Sequence, residues 1–354
     1  MLISPRPHQH RNHWLAFGVR LTIILGLLAA GVWYMISMPG TTYVGQAPPL
    51  SAGETEIHDK LQRHVSMLAG VIGERNVWHD DSLQRTATYI QSVLEEAAYT
   101  VKTQPFSSRG LTLQNLEAEL PGSTLADEII IVGAHYDSVD GSPGANDNAS
   151  GVAALLELAR LFSASTPLRT LRFVAFANEE APFFYTDEMG SHQYADHAKQ
   201  RGEQIAAMIS LETLGSYTDA PGSQRYPFPF NLAYPDTGNF VGFVGNLASR
   251  TLVRRAIRTF RETTPFPSEG VAAPSWIEGI HWSDQWAFWE EGYPAIMVTD
   301  TALFRYAPYH TVADTPEQLD YPALARVVSG LRRVVAELAG TDPAAVIPTP
   351  GQTH

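Results

Sequence analysis

The sequence predicts an α/β domain organised around a parallel β-α-β unit between residues 129 and 180. Residues 129–132 form an apolar, β-branched run, which is typical of a strand that is buried on both faces. Apolar residues then recur at helical spacing from Val152 to Phe162, and a second apolar run covers 171–177. Parallel strands joined by a helix end at the same edge of the sheet, which is where such sheets bind ligands.

The flanking segments extend this pattern on both sides of the unit. Residues 216–239 are rich in Pro, Tyr and Phe without clear periodicity, and a long irregular segment inside a compact domain usually has a function. The remaining elements are predicted from periodicity: helices at 56–68, 82–98, 189–200, 247–260 and 319–338, and strands at 100–105, 113–120, 205–211, 240–244 and 295–299.

Length and composition limit the classes of function. A chain of 354 residues has room for one large domain with an ample core. Its net charge of −13 predicts that nucleic acid is not a partner. Because the chain has no cysteine, a metal site would have to use His, Asp and Glu, which suits zinc, manganese or cobalt.

The N-terminal region predicts attachment to a membrane. Residues 14–38 are almost wholly apolar, and the preceding 1–13 are basic, so we expect a signal anchor with a cytoplasmic N-terminus and a single membrane pass. The small residues near Ala30 leave a cleaved signal peptide as the alternative. We expect 39–55 to be a linker, 56–340 to be the main domain on the periplasmic or extracellular side, and 341–354 to be a disordered tail.

Acidic and imidazole side chains follow the predicted strands. Two divalent ions that share one carboxylate need one further His and one further carboxylate each, and a free carboxylate as base. Taken singly, these residues also fit an N-cap, a solvated acidic face or a chance triplet, and their joint position at one edge favours a metal site. The candidates are His135, Asp137, Asp147, Glu179, Glu180, Glu212 and His310.

Two local spacings support this interpretation. Glu179 and Glu180 are adjacent at a strand end and therefore point to different sides, so that one can bind metal while the other reaches a water. Asp137 points to the same side as His135, two residues earlier, and can accept the second N–H of the imidazole.

The chain contains, in this order, the segments GAHYDS (133–138), GANDNASG (144–151), FANEEAPFF (176–184), DEMGS (187–191), SDQWAFWEEGYPAIMVTDT (283–301) and YHTVADT (309–315). Together they resemble the di-zinc aminopeptidases, zinc exopeptidases related to the glutaminyl cyclases. The resemblance extends from about residue 60 to residue 338. It implies a phosphorylase/hydrolase-like three-layer α/β domain, with a mixed, mostly parallel central sheet between helices, that acts on peptides.

The resemblance also implies how two Zn²⁺ ions would be bound. Asp147 would bridge them, His135 and Glu212 would complete one site, and Glu180 and His310 would complete the other. Many relatives carry Asp at the position of Glu212, and the longer side chain here predicts a second metal that sits differently or binds more weakly.

The implied catalytic roles leave two other functions open. Glu179 would be the general base, and Tyr309 would help to hold the developing oxyanion, with Asp137 behind the imidazole. A glutaminyl cyclase would use a single zinc, which would leave His135 and Glu212 without a purpose. A non-catalytic receptor-like domain would have lost ligands or the base, whereas every required position here is filled.

Overall fold

A computed structural model describes residues 9–342, with side chains from residue 14, and these residues form two units that divide between Ser37 and Met38. The first unit contains helix α1 (Gln9–Ile36). The second unit begins at Met38 and therefore includes the predicted linker, 39–55. Residues 1–8 of the predicted cytoplasmic segment and 343–354 of the predicted disordered tail lie outside the described residues.

The second unit is built on one eight-stranded sheet in the order β1-β2-β4-β3-β5-β8-β6-β7. Strands β4, β3, β5 and β8 run parallel in its centre. The β1-β2-β4 side is antiparallel, and β6 runs antiparallel to β8 and parallel to β7. The strands are β1 (Val101–Ser108), β2 (Leu111–Leu120), β3 (Leu125–His135), β4 (Arg169–Phe176), β5 (Gln204–Glu212), β6 (Val241–Asn246), β7 (Ser268–Ala273) and β8 (Ala295–Thr299).

Helices cover both faces of the sheet. Successive residues of β3 point to opposite faces: Ile130 and Val132 join the core beneath α2, α3, α4, α6 and α9, whereas Ile129 and Ile131 join the core beneath α5 and α7. This arrangement confirms the predicted three-layer α/β class with a mixed central sheet. The helices are α2 (Ala52–Val65), α3 (Asp80–Glu96), α4 (Gly151–Phe162), α5 (Gly190–Gln200), α6 (Arg250–Thr263), α7 (Gln285–Glu290), α8 (Ala302–Arg305) and α9 (Tyr321–Ala339).

Several elements were not predicted, among them α7, α8 and one strand, and the chain around α2 has further features that periodicity did not indicate. Strand β7 was not predicted, because Glu269 and Gly270 interrupt its apolar residues. The segment before α2 is extended, and it is hydrogen-bonded to the domain through Thr42 and Arg261. Helix α2 begins earlier than the predicted residue 56, because Ser51 and Glu54 form a reciprocal capping box.

Candidate metal centre

The parallel strands bring the candidate side chains to one edge of the sheet. His135 and Glu212 are the last residues of β3 and β5. Glu179 and Glu180 follow the end of β4, and Asp147 lies in the turn before α4. The predicted residues from these separate segments meet because parallel strands share an orientation.

One group of potential ligands consists of His135, Asp147 and Glu212, all buried. The Nε2 atom of His135 lies 3.1 Å from Glu212 Oε2 and 3.3 Å from Asp147 Oδ1. The three ligand atoms lie within 4.8 Å of one another, a spacing that accommodates one cation between them.

A second group consists of Asp147, Glu180 and His310. His310 Nε2 lies 3.0 Å from Asp147 Oδ2 and 3.4 Å from Glu180 Oε2. The two oxygens of Asp147 therefore face different imidazoles, His310 on one side and His135 on the other. This is the geometry that a bridging carboxylate requires.

Asp137 holds the two glutamates in place through their backbone. The backbone N–H groups of Glu179 and Glu180 each donate to Asp137, at 3.0 Å. The Nδ1 atom of His135 lies 3.4 Å from Asp137 Oδ1 without forming a hydrogen bond of good geometry. Asp137 thus positions the Glu-Glu pair in addition to facing the imidazole, a role that the sequence did not indicate.

The charges of the cluster fit divalent cations. Burial raises the pKa of Glu180 well above its usual value, and the carboxylates of Asp147 and Glu179 raise it further. Burial acts to raise the pKa of Asp147 as well, but the imidazoles of His135 and His310 lower it. Buried carboxylates that repel one another are stabilised by cations, and these His, Asp and Glu donors are ligands that zinc accepts.

Glu179 and Tyr309 lie beside the two ligand groups. The Oε2 atom of Glu179 is 3.9 Å from His135 Nε2, and burial raises the pKa of this carboxyl well above its usual value. The ring of Tyr309 stacks on that of His310, with 3.8 Å between the centroids. Burial and nearby carboxylates raise the pKa of Tyr309 well above its usual value, so its hydroxyl remains a donor.

A fully buried arginine, Arg75, holds the loop that carries Asp147. Its guanidinium donates to the carbonyls of Tyr136, at 2.8 Å, and Gly144, at 2.7 Å. It also donates to the carbonyls of Gly73 and Pro143. Sequence reasoning missed this residue, because it is distant in the sequence from the strand end and the loop that it contacts, and its partners are backbone atoms.

Ser283 was also missed as part of the centre. Its hydroxyl donates to Glu212 Oε2 at 2.8 Å and lies 3.0 Å from the hydroxyl of Ser210. The longer glutamate side chain at 212 is therefore held by a hydroxyl as well as by His135. The resemblance covered 283–301, but nothing in that segment identified Ser283 as a partner of Glu212.

An apolar cavity adjoins the centre, with Glu212 and Tyr309 among its lining residues. Part of the irregular segment 216–239 forms one wall, and β7 forms another. The polar lining groups include the carboxylates of Glu269 and Glu278. The aromatic and apolar lining side chains include Tyr226, Phe230, Tyr234, Phe240, Phe243, Trp282, Met297 and Phe304.

Known proteins share both the fold and the sequence pattern. The uncharacterized protein YfbL of Escherichia coli K12 is 38% identical over 282 residues, which cover 77% of this chain and 86% of that protein. The zinc aminopeptidase BSAP from Bacillus subtilis superposes with a TM-score of 0.64 at 18% identity, over 79% of this chain and 95% of that chain. The glutaminyl cyclase of Bacteroides thetaiotaomicron superposes with a TM-score of 0.61 at 17% identity, over 78% of this chain and 97% of that chain.

These structural likenesses are nearly equal, so the fold alone does not distinguish an aminopeptidase from a cyclase. The sequence is more specific, because residues 115–335 match the pattern described as "Peptidase family M28". The matched range contains every residue of both ligand groups. The chain belongs to peptidase family M28.

Proposed function

We propose that the chain is a membrane-anchored, two-zinc aminopeptidase that hydrolyses the N-terminal bond of peptides. The observation that carries the proposal is the pair of ligand groups that share Asp147 beside an apolar cavity. Membership of a peptidase family supports hydrolysis of peptide bonds. The donor set of two imidazoles and several carboxylates, in a chain without cysteine, supports zinc.

Glu179 is the proposed general base. Two bound ions would polarise the scissile carbonyl and lower the pKa of a water molecule. Glu179 belongs to neither ligand group but lies within 3.9 Å of His135, so its carboxylate is free to accept the proton of that water. The raised pKa of Glu179 suits it to carry the proton and then to deliver it to the departing amine.

Tyr309 is the proposed hydrogen-bond donor to the oxyanion. Its hydroxyl stays protonated because its pKa is raised, and the stacking on His310 limits the positions of the ring. A donor that is already oriented toward developing negative charge stabilises the transition state more than the ground state.

The apolar cavity is the proposed pocket for the N-terminal side chain. Its aromatic walls favour an apolar residue at that position. The cavity lining includes the acidic residues Glu212, Glu269 and Glu278, and a carboxylate there complements a free α-ammonium group. Substrates with an apolar N-terminal residue and an unblocked amine are therefore expected to be preferred.

The two alternative functions, a glutaminyl cyclase and a receptor-like domain, would each require fewer of the residues in the ligand groups. A glutaminyl cyclase with a single zinc would use Asp147, Glu180 and His310, and would not require the contact between His135 and Glu212. A receptor-like domain would not require an intact ligand set beside a carboxylate of raised pKa.

The test is a panel of chromogenic aminoacyl amides, assayed with and without a chelator on protein of known metal content. We expect activity that is highest on apolar N-terminal residues, is lost with the chelator and is restored by zinc.

Glu179→Gln should keep the metal and lower turnover by about 10²–10⁴-fold or more, since general-base catalysis is typically worth that factor. Glu290→Gln, at an exposed position, is the matched control. Near-normal turnover by Glu179→Gln protein that contains its full complement of metal would show that Glu179 is not the general base.

Helix α1 supports attachment to the membrane. Trp14–Ile36 is long and apolar enough to cross a bilayer, and it is the one such helix among the described residues. We propose that α1 crosses the membrane once, with the N-terminus in the cytoplasm and the domain on the periplasmic or extracellular side. Fractionation, protease accessibility and N-terminal sequencing test this. A mature protein that begins shortly after Gly31 would establish the signal-peptide alternative.

A further inference from the structure

The segment 38–42, here called the strap, lies against the edge strand β7. The backbone N–H of Ser268, the first residue of β7, donates to Thr42 Oγ1 at 2.8 Å. Arg261 of α6 donates to the carbonyls of Pro39, at 3.1 Å, and Gly40, at 3.3 Å, and to the carbonyl of Ser268, at 2.7 Å. The strap and the beginning of β7 are therefore joined both directly and through one guanidinium group.

β7 needs this support because it is the last strand of the sheet. Among residues 9–342 it pairs only with β6, so no strand of this described range borders its outer edge. Ser268 is fully buried, and an unpaired N–H group there would cost free energy. Thr42 supplies the missing acceptor. Covering an edge strand with a loop is one way in which proteins protect an exposed sheet edge.

Met38 packs against β7 on the side that faces α6. A Cβ atom on Gly270 would lie 3.0 Å from Met38 Cγ and 2.9 Å from Ile257 Cδ1, so both side chains touch this part of the strand. Residues 269–271 of β7 also line the apolar cavity, and Tyr234, another lining residue, donates to the carbonyl of Gly270 at 2.6 Å. β7 thus lies between Met38 and the cavity.

We infer that the strap is a specificity-determining element, which fixes the β7 wall of the pocket that receives the N-terminal side chain. The inference rests on the proposed function, because it takes the apolar cavity as that pocket. None of the strap residues belongs to the ligand groups, so we expect changes in the strap to leave the metal content unchanged.

The inference gives the segment after α1 a second role. Arg326 of α9 donates to the carbonyl of Pro48, so the chain remains attached to the domain beyond the strap. Proteolysis that removes residues 38–42 should change the enzyme's substrate preference, whereas proteolysis before Met38 should release a domain with its preference intact.

The test uses the full-length protein in detergent and two double variants. Met38→Ala/Thr42→Val removes the packing and the hydrogen bond of the strap. Thr41→Val/Val44→Ala makes similar changes at exposed positions and is the control. For both variants we would measure the kcat/KM ratio of leucyl to alanyl chromogenic amides, the Kd of L-leucine by calorimetry, the metal content, and hydrogen exchange of residues 268–273.

For the strap variant we expect the leucyl-to-alanyl ratio to fall about fivefold or more, since an apolar pocket discriminates one substrate methylene group by about 10–200-fold and a loosened wall loses part of that discrimination. L-leucine should bind more weakly and β7 should exchange faster, while metal content and alanyl turnover match the control. An unchanged ratio and unchanged leucine binding would overturn the inference. An equal loss on both amides together with lost metal would also overturn it.

Failure of the proposed function would have a different signature. If the parent protein hydrolyses neither amide, the aminopeptidase proposal falls. The Kd of L-leucine and hydrogen exchange of β7 then still test whether the strap fixes the β7 wall of the cavity, because neither measurement requires turnover. Faster exchange together with weaker leucine binding in the strap variant would support this role of the strap, and no change in either measurement would refute it.

Discussion

Replacement of Arg75 should destabilise the domain strongly, because its guanidinium is the shared partner of four backbone carbonyls. These carbonyls belong to Gly73, Tyr136, Pro143 and Gly144. Arg75→Met fills a similar volume but supplies no donor. Each buried acceptor left without a partner costs about 1–3 kcal/mol. Water and small backbone shifts recover part of the sum, so we expect the free energy of unfolding to fall by about 3–5 kcal/mol.

Arg75→Lys separates the role of charge from that of geometry. Burial lowers the pKa of Arg75 to about 10, although carboxylates such as Asp314 and Asp137 act to raise it, so the group stays charged at neutral pH. Lysine keeps a charge there but lacks the planar fork that reaches several carbonyls at once. If geometry dominates, Arg75→Lys should recover less than half of the stability that Arg75→Met loses.

The assay is urea denaturation followed by circular dichroism in the presence of a chelator, so that metal binding does not contribute. Arg85→Met, at an exposed position, is the control and should change stability by less than about 0.5 kcal/mol. A loss below about 1 kcal/mol in Arg75→Met, or full recovery with lysine, would refute the reasoning. Weaker zinc binding in Arg75→Met would show in addition that the loop holds Asp147 in place.

Two further predictions concern the site completed by Glu212. Glu212→Ala should lower the metal content from about two equivalents to about one, measured by elemental analysis, because Asp147, Glu180 and His310 remain. One equivalent in both proteins would favour the single-zinc cyclase, and two in both would mean that another carboxylate is the ligand. Ser283→Ala should weaken zinc binding at this site by about 10–100-fold in competition titrations, the usual effect of losing a hydrogen bond to a metal ligand. Unchanged affinity would show that His135 alone orients Glu212.

The positions of candidate residues at the strand ends could be predicted from local signals in the sequence. His135 and Glu212 end apolar runs, so their positions followed from the strands, and parallel connection then brought them together. The contributions of Arg75, Ser283 and the strap could not be predicted in this way. Each acts on a partner far away in sequence or on backbone atoms, and neither kind of contact leaves a periodic pattern.

Strand β7 escaped prediction for a related reason. A strand at the sheet edge that lines a cavity does not need a continuous apolar run, and a side chain at Gly270 would crowd Met38 and Ile257. Glu269 and Gly270, which line the cavity, therefore interrupt the apolar pattern by which β7 could have been predicted.

Asp147 and Asn148 have different roles, which the sequence alone did not separate. One residue faces the imidazoles, and the other binds backbone groups near the start of α4 and the end of β5. An Asp before a helix suggests an N-cap, but here Asn148 Oδ1 accepts from the N–H of Gly151, at 3.1 Å, and from that of Thr213, at 3.2 Å. Its amide also donates to the carbonyl of Leu211 at 2.9 Å. Asn148 thus binds the backbone on both sides of Glu212 and leaves the carboxylate of Asp147 free to face the two imidazoles. The same turn that begins α4 therefore sets the distance between the shared ligand and the end of β5.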